Sequence, residues 1–543
     1  MAARCLIGPA SGAPAGFRLL VLGLGLASAA LYTVLMPLWE GYDEPFHYGI
    51  VQAVWITHAP ADPRSTPISE ELWQSRLLAP VSPVFQTDSP PIKTFGEFYK
   101  MPASDRLRQR TALREIPTEL QYRSHGGPPN YEAQQPPLCY ALLAVPDRLL
   151  AGAPILTRVL ALRLLIALFT VVMVAVGTFR LGEELGIQEV FLAGAVSLVF
   201  MTQTFLGAVC RISNDWLGIA LAPWLVVNGI RLLRRGSTRN AMAMGACLAA
   251  GLLGKANYLA FVPLAAGVAG LAFARKKLPP RGVLAFLATL GCAAPWYVRN
   301  IVVFHSLTGW HPHLGNTAAG GALAALKTLP WMTYLPSFGR VALWNGNNHY
   351  LAFSKATMDV ILVLLLVAAV LTAWHVRRAT DRRALLVTLA GVSVYGAALA
   401  YSIGELHVLY PEYYALAPWY CPPLFPLLFP LLFWGLSRSG GAGRWTAIAL
   451  VAVCGYVLVA TWLVKLIPLY AGFPDESVKL GRLVAWYATS WRDAHEKLSL
   501  VALGPVWQIY ALTCVSVSCV VAILLRSVRI SAGAAATRAT GRS

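Results

Sequence analysis

Apolar residues in this chain come in long unbroken runs, not in the alternation of a half-buried strand or the one-sided stripe of a surface helix. Hydrocarbon supplies no hydrogen-bond partner, so a segment that crosses it must be a helix of roughly 20 apolar residues. Twelve segments fit: 17–38, 156–180, 188–209, 216–233, 240–254, 257–274, 282–304, 357–376, 384–403, 419–437, 445–468 and 504–525. The first contains Ala27-Ser28-Ala29, which has the look of a leader cleavage site. Its apolar run continues to Trp39, longer than a leader core, and it therefore reads as a retained anchor.

The polar intervals set the orientation. Lys and Arg in short loops mark the cytoplasmic side. Placing the N-terminus inside brings Arg231–Arg239, Arg275–Arg281, Arg377–Arg383, Arg438–Arg444 and the tail from Arg526 to that side together. Parity then decides 137–152, which is apolar. Counted as a span it would turn every later basic loop outward, so it reads as a helix at the outer interface. The chain divides into 1–38 (tail and first helix), 39–155 (a large extracytoplasmic loop with interfacial helices) and 156–304 (helices two to seven). After these come 305–356 (a second outer loop), 357–525 (helices eight to twelve) and 526–543 (a basic cytoplasmic tail). No repeat of 20–50 residues is visible.

Composition agrees with an all-α polytopic membrane protein: 57% of residues are hydrophobic and only 13% charged, against about 25% charged in soluble domains. With 17 Trp, 21 Tyr and 20 Phe and no Gly-X-Y period, disordered and collagenous chains are excluded. The net charge of +19 is a topology signal once the basic loops share one side, and no nucleic-acid partner is needed to explain it. Of nine cysteines, Cys247, Cys292, Cys454, Cys514 and Cys519 lie in apolar spans, and the large loop holds only Cys139. Neither a disulfide framework nor a cysteine zinc site follows. The absence of an Asn-x-Ser/Thr sequon leans towards a bacterial plasma membrane.

Candidate chemistry gathers at the outer side. Trp39-Glu-Gly-Tyr-Asp-Glu-Pro-Phe-His-Tyr-Gly49 follows the first span. Asp43 and Glu44 stand there at a membrane edge, where a partly desolvated carboxylate gains a raised pKa and can take a proton. His47 falls four residues after Asp43, on the same face of a helix. Lys255 lies near the turn between two arms of about 15–17 residues, roughly 25 Å each at 1.5 Å per residue. That is short of ~30 Å of hydrocarbon, so the turn is sunk below the surface and its lysine meets lipid phosphates; snorkelling is the plainer reading. Arg299, between Trp296 and Phe304 near the outer end of its span, needs an anion, either a phosphate or an internal carboxylate. Asp215, after Asn214, opens another span, where helix capping is the rival role. The loop 305–356 adds His305, Trp310, His311, His313, Trp331, Trp344 and Asn345-Gly-Asn-Asn-His349, a set suited to sugar rings and hydroxyls. His311 and His313 lack a third ligand for zinc. Glu405, His407 and Glu412 occupy a further outer loop.

These stretches resemble a known family. The Asp43-Glu44 pair with Pro-x-His47 is similar to the Asp-Glu-x-His motif of membrane glycosyltransferases of the C-type fold, among them protein O-mannosyltransferases and the aminoarabinose transferase of lipid A. Tyr131-Glu-Ala-Gln-Gln-Pro-Pro-Leu-Cys-Tyr140 resembles their (His/Gln)-Pro-Pro-Leu-x-Tyr segment, Ser213-Asn-Asp215 their second-loop Asn/Pro-Asp, and Pro295-Trp-Tyr-Val-Arg-Asn300 their Trp-x-x-x-Arg-Asn. Where relatives show Gly-Arg-Tyr, this chain has Ala417-Pro-Trp-Tyr-Cys-Pro-Pro-Leu-Phe425.

The resemblance implies a polyprenyl-phosphate sugar donor, with its phosphate held by Lys255 and Arg299, and an acceptor hydroxyl on a lipid, glycan or protein. It makes Asp43 the base of a single inverting displacement and Glu44 its orienting partner. His47 and Asp215 then join the substrate-binding set. No cofactor is expected; a divalent cation between Asp215 and Glu44 is the one metal arrangement the resemblance leaves open. A twelve-span transporter or lipid flippase is the alternative class, and it would show internal repeats and polar groups deep in the spans. A membrane-embedded assembly scaffold, indifferent to loss of the Asp43 charge, is the third.

Overall fold

A backbone that cannot bond to water bonds to itself, and each of the twelve apolar runs is helical in the computed structural model. The structure describes residues 16–57, 61–85, 91–309, 319–346, 353–379, 382–409, 418–473 and 479–540. Among them, nine helices are long and apolar enough to cross a bilayer, from Gly16–Leu35 to Val506–Ile530, and two bent pairs raise the number to 11. The remaining run forms Thr238–Gly254, whose 17 residues make the short arm expected before Lys255. No strand forms among the described residues, only two isolated bridges, Ser69–Ser124 and Val81–Thr94.

Each bend has a local cause. Pro280–Gly291 and Ala294–Phe304 meet at 49°, where Pro295 removes a backbone donor from the ladder. Glu189–Met201 and Gln203–Val209 meet at 63° around Thr202, which has extended backbone and a hydroxyl that donates to the Leu198 carbonyl at 2.8 Å.

The helices run alternately up and down, so their ends gather in two layers. In one layer Arg18 pairs with Glu183 and Glu189 at 2.7 Å, Arg231 reaches Glu184 at 2.7 Å, and Lys277 bonds the Leu233 carbonyl at 3.0 Å. This is the layer of the Lys/Arg-rich turns. The opposite layer holds the segment after the first span, which folds into short helices. They include Glu44–Thr57, Glu70–Leu78, Ala103–Arg114 and Leu138–Leu149. The last has 12 residues, about 18 Å, too short to span. It buries Cys139, Tyr140, Leu143 and Ala144 and exposes Leu142, Val145 and Leu149, as an interfacial helix does.

Two buried arginines of helix Ile155–Leu185 moor these pieces to the bundle. Arg158 pairs with Glu71 and donates to the Tyr48 hydroxyl at 2.6 Å, while that hydroxyl donates to Asp147 at 2.9 Å. Arg163 forks onto Glu44 and also donates to the Met36 and Pro37 carbonyls at 2.8 and 3.0 Å. Charges this deep are tolerated because every one is paired.

Candidate functional site

The acidic pair after the first span divides its labour. Glu44 begins helix Glu44–Thr57 and is wholly buried. Its carboxylate takes Arg163 in a fork and the Ile212 backbone N–H at 2.8 Å, so it ties three segments together. Asp43, one residue earlier, is partly exposed and takes a different partner, the Tyr131 hydroxyl. Its φ of +56° is a left-handed conformation that aspartate tolerates better than most residues, and such strain is kept where the surroundings enforce it. Gly41 lets the next loop close in, since a Cβ there would stand 2.9 Å from Arg211 Cβ.

Around Asp43 the structure collects residues from five stretches. The Tyr131 hydroxyl donates to the Asp43 carboxylate. Arg211 Nη2 bonds Asp215 Oδ2 at 3.1 Å, and Lys255 Nζ takes the other oxygen. Lys255 also lies 4.9 Å from the centre of the Tyr420 ring. Asn214 donates to Gln135 at 2.9 Å, which joins the Pro-Pro segment to the Asn-Asp corner. His47 Nδ1 is hydrogen-bonded to the Tyr140 hydroxyl at 2.8 Å and stands 3.7 Å from Glu132 Oε2.

Electrostatics distinguishes these groups. Burial raises the Asp43 pKa above the ordinary carboxylate range, opposed by the Tyr131 hydrogen bond and by the Arg211 and Lys255 charges. Burial, reinforced by Asp43, pushes Glu132 up to about 7. His47 is pushed down to about 3, first by burial and then by Arg211 and Lys255. His47 and Glu132 are therefore a neutral pair near pH 6, their closeness notwithstanding. The arrangement offers a proton-accepting carboxylate beside two cations that share one counter-ion, Asp215.

Of the residues singled out in the sequence, Asp43, Glu44, His47, Asp215 and Lys255 come together at one end of the bundle. Arg299 does not join Lys255. Its guanidinium donates to the Ala61 carbonyl at 3.1 Å, lies over Trp296 and Phe304 at 4.9 and 5.3 Å, and has Asp62 and Arg64 as charged neighbours. Trp331 and Trp344 spend their indole N–H groups on internal partners, the Leu326 carbonyl and the Thr461 hydroxyl, both at 2.9 Å. Trp310, His311, His313, Asn347, Asn348, His349 and Glu412 lie outside the described residues. Sequence reasoning missed Arg211, Glu132 and Tyr420. Arg211 carried a readable signal, an isolated arginine between two apolar runs and four residues before Asp215.

The donor set argues against a divalent cation between Asp215 and Glu44. Arg163 and an N–H already occupy Glu44, and Lys255 and Arg211 occupy Asp215. Among the described residues no group of three or more His, Cys, Asp or Glu is arranged to hold a metal.

No family model matches the sequence. Comparison with curated proteins likewise gives no match. Among solved structures, the chain is similar to ArnT from Cupriavidus metallidurans bound to undecaprenyl phosphate, at 13% identity and a TM-score of 0.44 over 94% of this chain and 78% of that one. It is also similar to the apo state of that protein, at 14% identity and a TM-score of 0.38 over 88% and 75%.

Proposed function

We propose that this chain is an integral-membrane glycosyltransferase that moves a sugar from a polyprenyl-phosphate donor to an acceptor hydroxyl. The observation that carries the reading is the meeting of Asp43 with the Asp215–Arg211–Lys255 cluster, from segments far apart in sequence, in the layer opposite the basic turns. The excess of Lys and Arg in those turns supports an extracytoplasmic site with both termini in the cytoplasm. The donor class rests on the motif resemblance.

In the reaction, the acceptor oxygen attacks the anomeric carbon as its proton passes to Asp43. The bond from that carbon to the phosphate oxygen breaks, and the electron pair leaves on the phosphate. Lys255 and Arg211 stabilise the departing charge, and Asp215 holds both cations in place until then. One displacement inverts the anomeric centre. Glu44 acts as a positioning residue, fixing the backbone that aims Asp43. Arg299, facing the 61–64 segment, is assigned no step.

The test is sugar transfer by purified protein from defined polyprenyl-phosphate sugars. Asp43→Asn is expected to cut turnover at least ~100-fold with donor binding retained. Lys255→Ala is expected to weaken donor binding. Normal turnover by Asp43→Asn removes the general base and with it this mechanism.

A further inference from the structure

Arg76 sits in the last turn of helix Glu70–Leu78, at the end where a cation suits the helix dipole. That favour does not explain its surroundings. Its guanidinium carbon lies 4.9 Å from the Phe46 ring centre and 5.7 Å from that of Trp73. Phe46 packs on Tyr131 with ring centres 4.6 Å apart, and Tyr131 is the residue whose hydroxyl donates to Asp43. On the other side Trp73 stacks on His125 at 4.2 Å and 15°, and His125 bonds Glu70 at 2.7 Å. A continuous ladder thus leads from the Asp43 carboxylate out through the first large loop, with one cation in its middle.

The two carboxylates of Arg76's own helix are already engaged. Glu70 is bonded by Gln74 and His125, and Glu71 by Arg158 and Gln52. Among the described residues no ion pair or hydrogen bond engages the Arg76 guanidinium. Burial opposes its charge. Holding a largely buried guanidinium near two rings, with no counter-ion among the described residues, costs desolvation energy, and its planar fork suits a carboxylate or phosphate. Donor phosphate has its own cations in Lys255 and Arg211, which are not among Arg76's charged neighbours.

We propose that Arg76, flanked by Phe46 and Trp73, is the acceptor subsite, and that the acceptor is an anionic glycan carrying a carboxylate or phosphate near the hydroxyl that attacks. This rests on the glycosyltransferase reading, with Arg76 taking the acceptor's anion.

Equilibrium binding of three probes to the purified full-length chain tests it without any donor: a methyl glucuronoside, a methyl glucoside 6-phosphate and the neutral methyl glucoside. The charged probes are expected to bind roughly 10- to 100-fold tighter than the neutral one. Whichever charged probe binds better identifies the anion's source. Arg76→Gln should erase the preference and Arg76→Lys should keep part of it. Since no hydrogen bond or ion pair among the described residues engages Arg76, unchanged thermal midpoints are expected, and Arg76→Lys serves as the folded control. Equal affinity for charged and neutral probes, or a preference that survives Arg76→Gln, overturns the proposal. Displacement of the glucuronoside by decaprenyl phosphate also overturns it, because Arg76 would then belong to the donor. If sugar transfer fails while Arg76-dependent binding holds, the glycosyltransferase reading falls and the anion site stands; working transfer without that dependence gives the reverse.

Discussion

Glu132 makes the stability of this protein depend on pH in a direction opposite to that of most carboxylates. It is 7% exposed, its Oε2 has no hydrogen-bond partner among the described residues, and the imidazole of His47, at 3.7 Å, is held neutral. Folding raises its pKa from 4.5 to about 7. Between those values the folded chain keeps a proton that the unfolded chain has shed, so stability falls as pH rises through the window. From about pH 5.5 to 8.5 the loss works out at about 2 kcal/mol. Glu132→Gln removes it. His47 acts with the opposite sign, since its folded pKa near 3 lies below the ordinary 6.5, and stability gained from it rises with pH across that interval. This contribution is common to both proteins and cancels in their difference. Reversible unfolding in mixed detergent micelles at the two pH values reads that difference. The variant should gain about 2 kcal/mol on the wild type between the acid and the alkaline measurement. A wild-type advantage that is constant or grows with pH would refute the reasoning, because it would mean that an ionised Glu132 is stabilised, as in an ion pair with protonated His47.

Arg163→Met leaves Glu44 buried and unpaired, and should cost about 3–5 kcal/mol in the same unfolding assay. Adding Glu44→Gln should restore part of it, and strictly additive losses would show that the two do not act as a pair. Tyr131→Phe removes a hydrogen bond that favours ionised Asp43, so the acid limb of the transfer rate against pH should move to higher pH. An unmoved limb would mean that Asp43 is not the titrating base. Gly25→Ala places a Cβ 2.8 Å from Phe200 and Val171 side chains, an overpacking expected to cost about 1–3 kcal/mol in thermal or denaturant unfolding.

The helices were legible because their cause is local. A run such as 156–180 partitions into hydrocarbon whatever its neighbours are, the short arm before Lys255 followed from its length, and the interfacial helix Leu138–Leu149 from the parity of the crossings. The positions of Asp43, Asp215 and Lys255 at one end followed from counting crossings, which needs only the order of the spans. The partners did not follow. Nothing in the order of residues tells that Glu44 would be taken by Arg163, 119 positions away, while Asp43 stays open to the site. Nor does it tell that Arg299 would face 61–64 and leave Arg211 beside Lys255, or that the rings of Phe46 and Trp73 would flank Arg76. The sequence by itself determined which segments are apolar enough to leave water, because transfer into hydrocarbon is a property of each segment alone. Tertiary structure decided which charge neutralises which, because Coulomb attraction and hydrogen bonding depend on a few ångströms of separation that only the packed bundle sets.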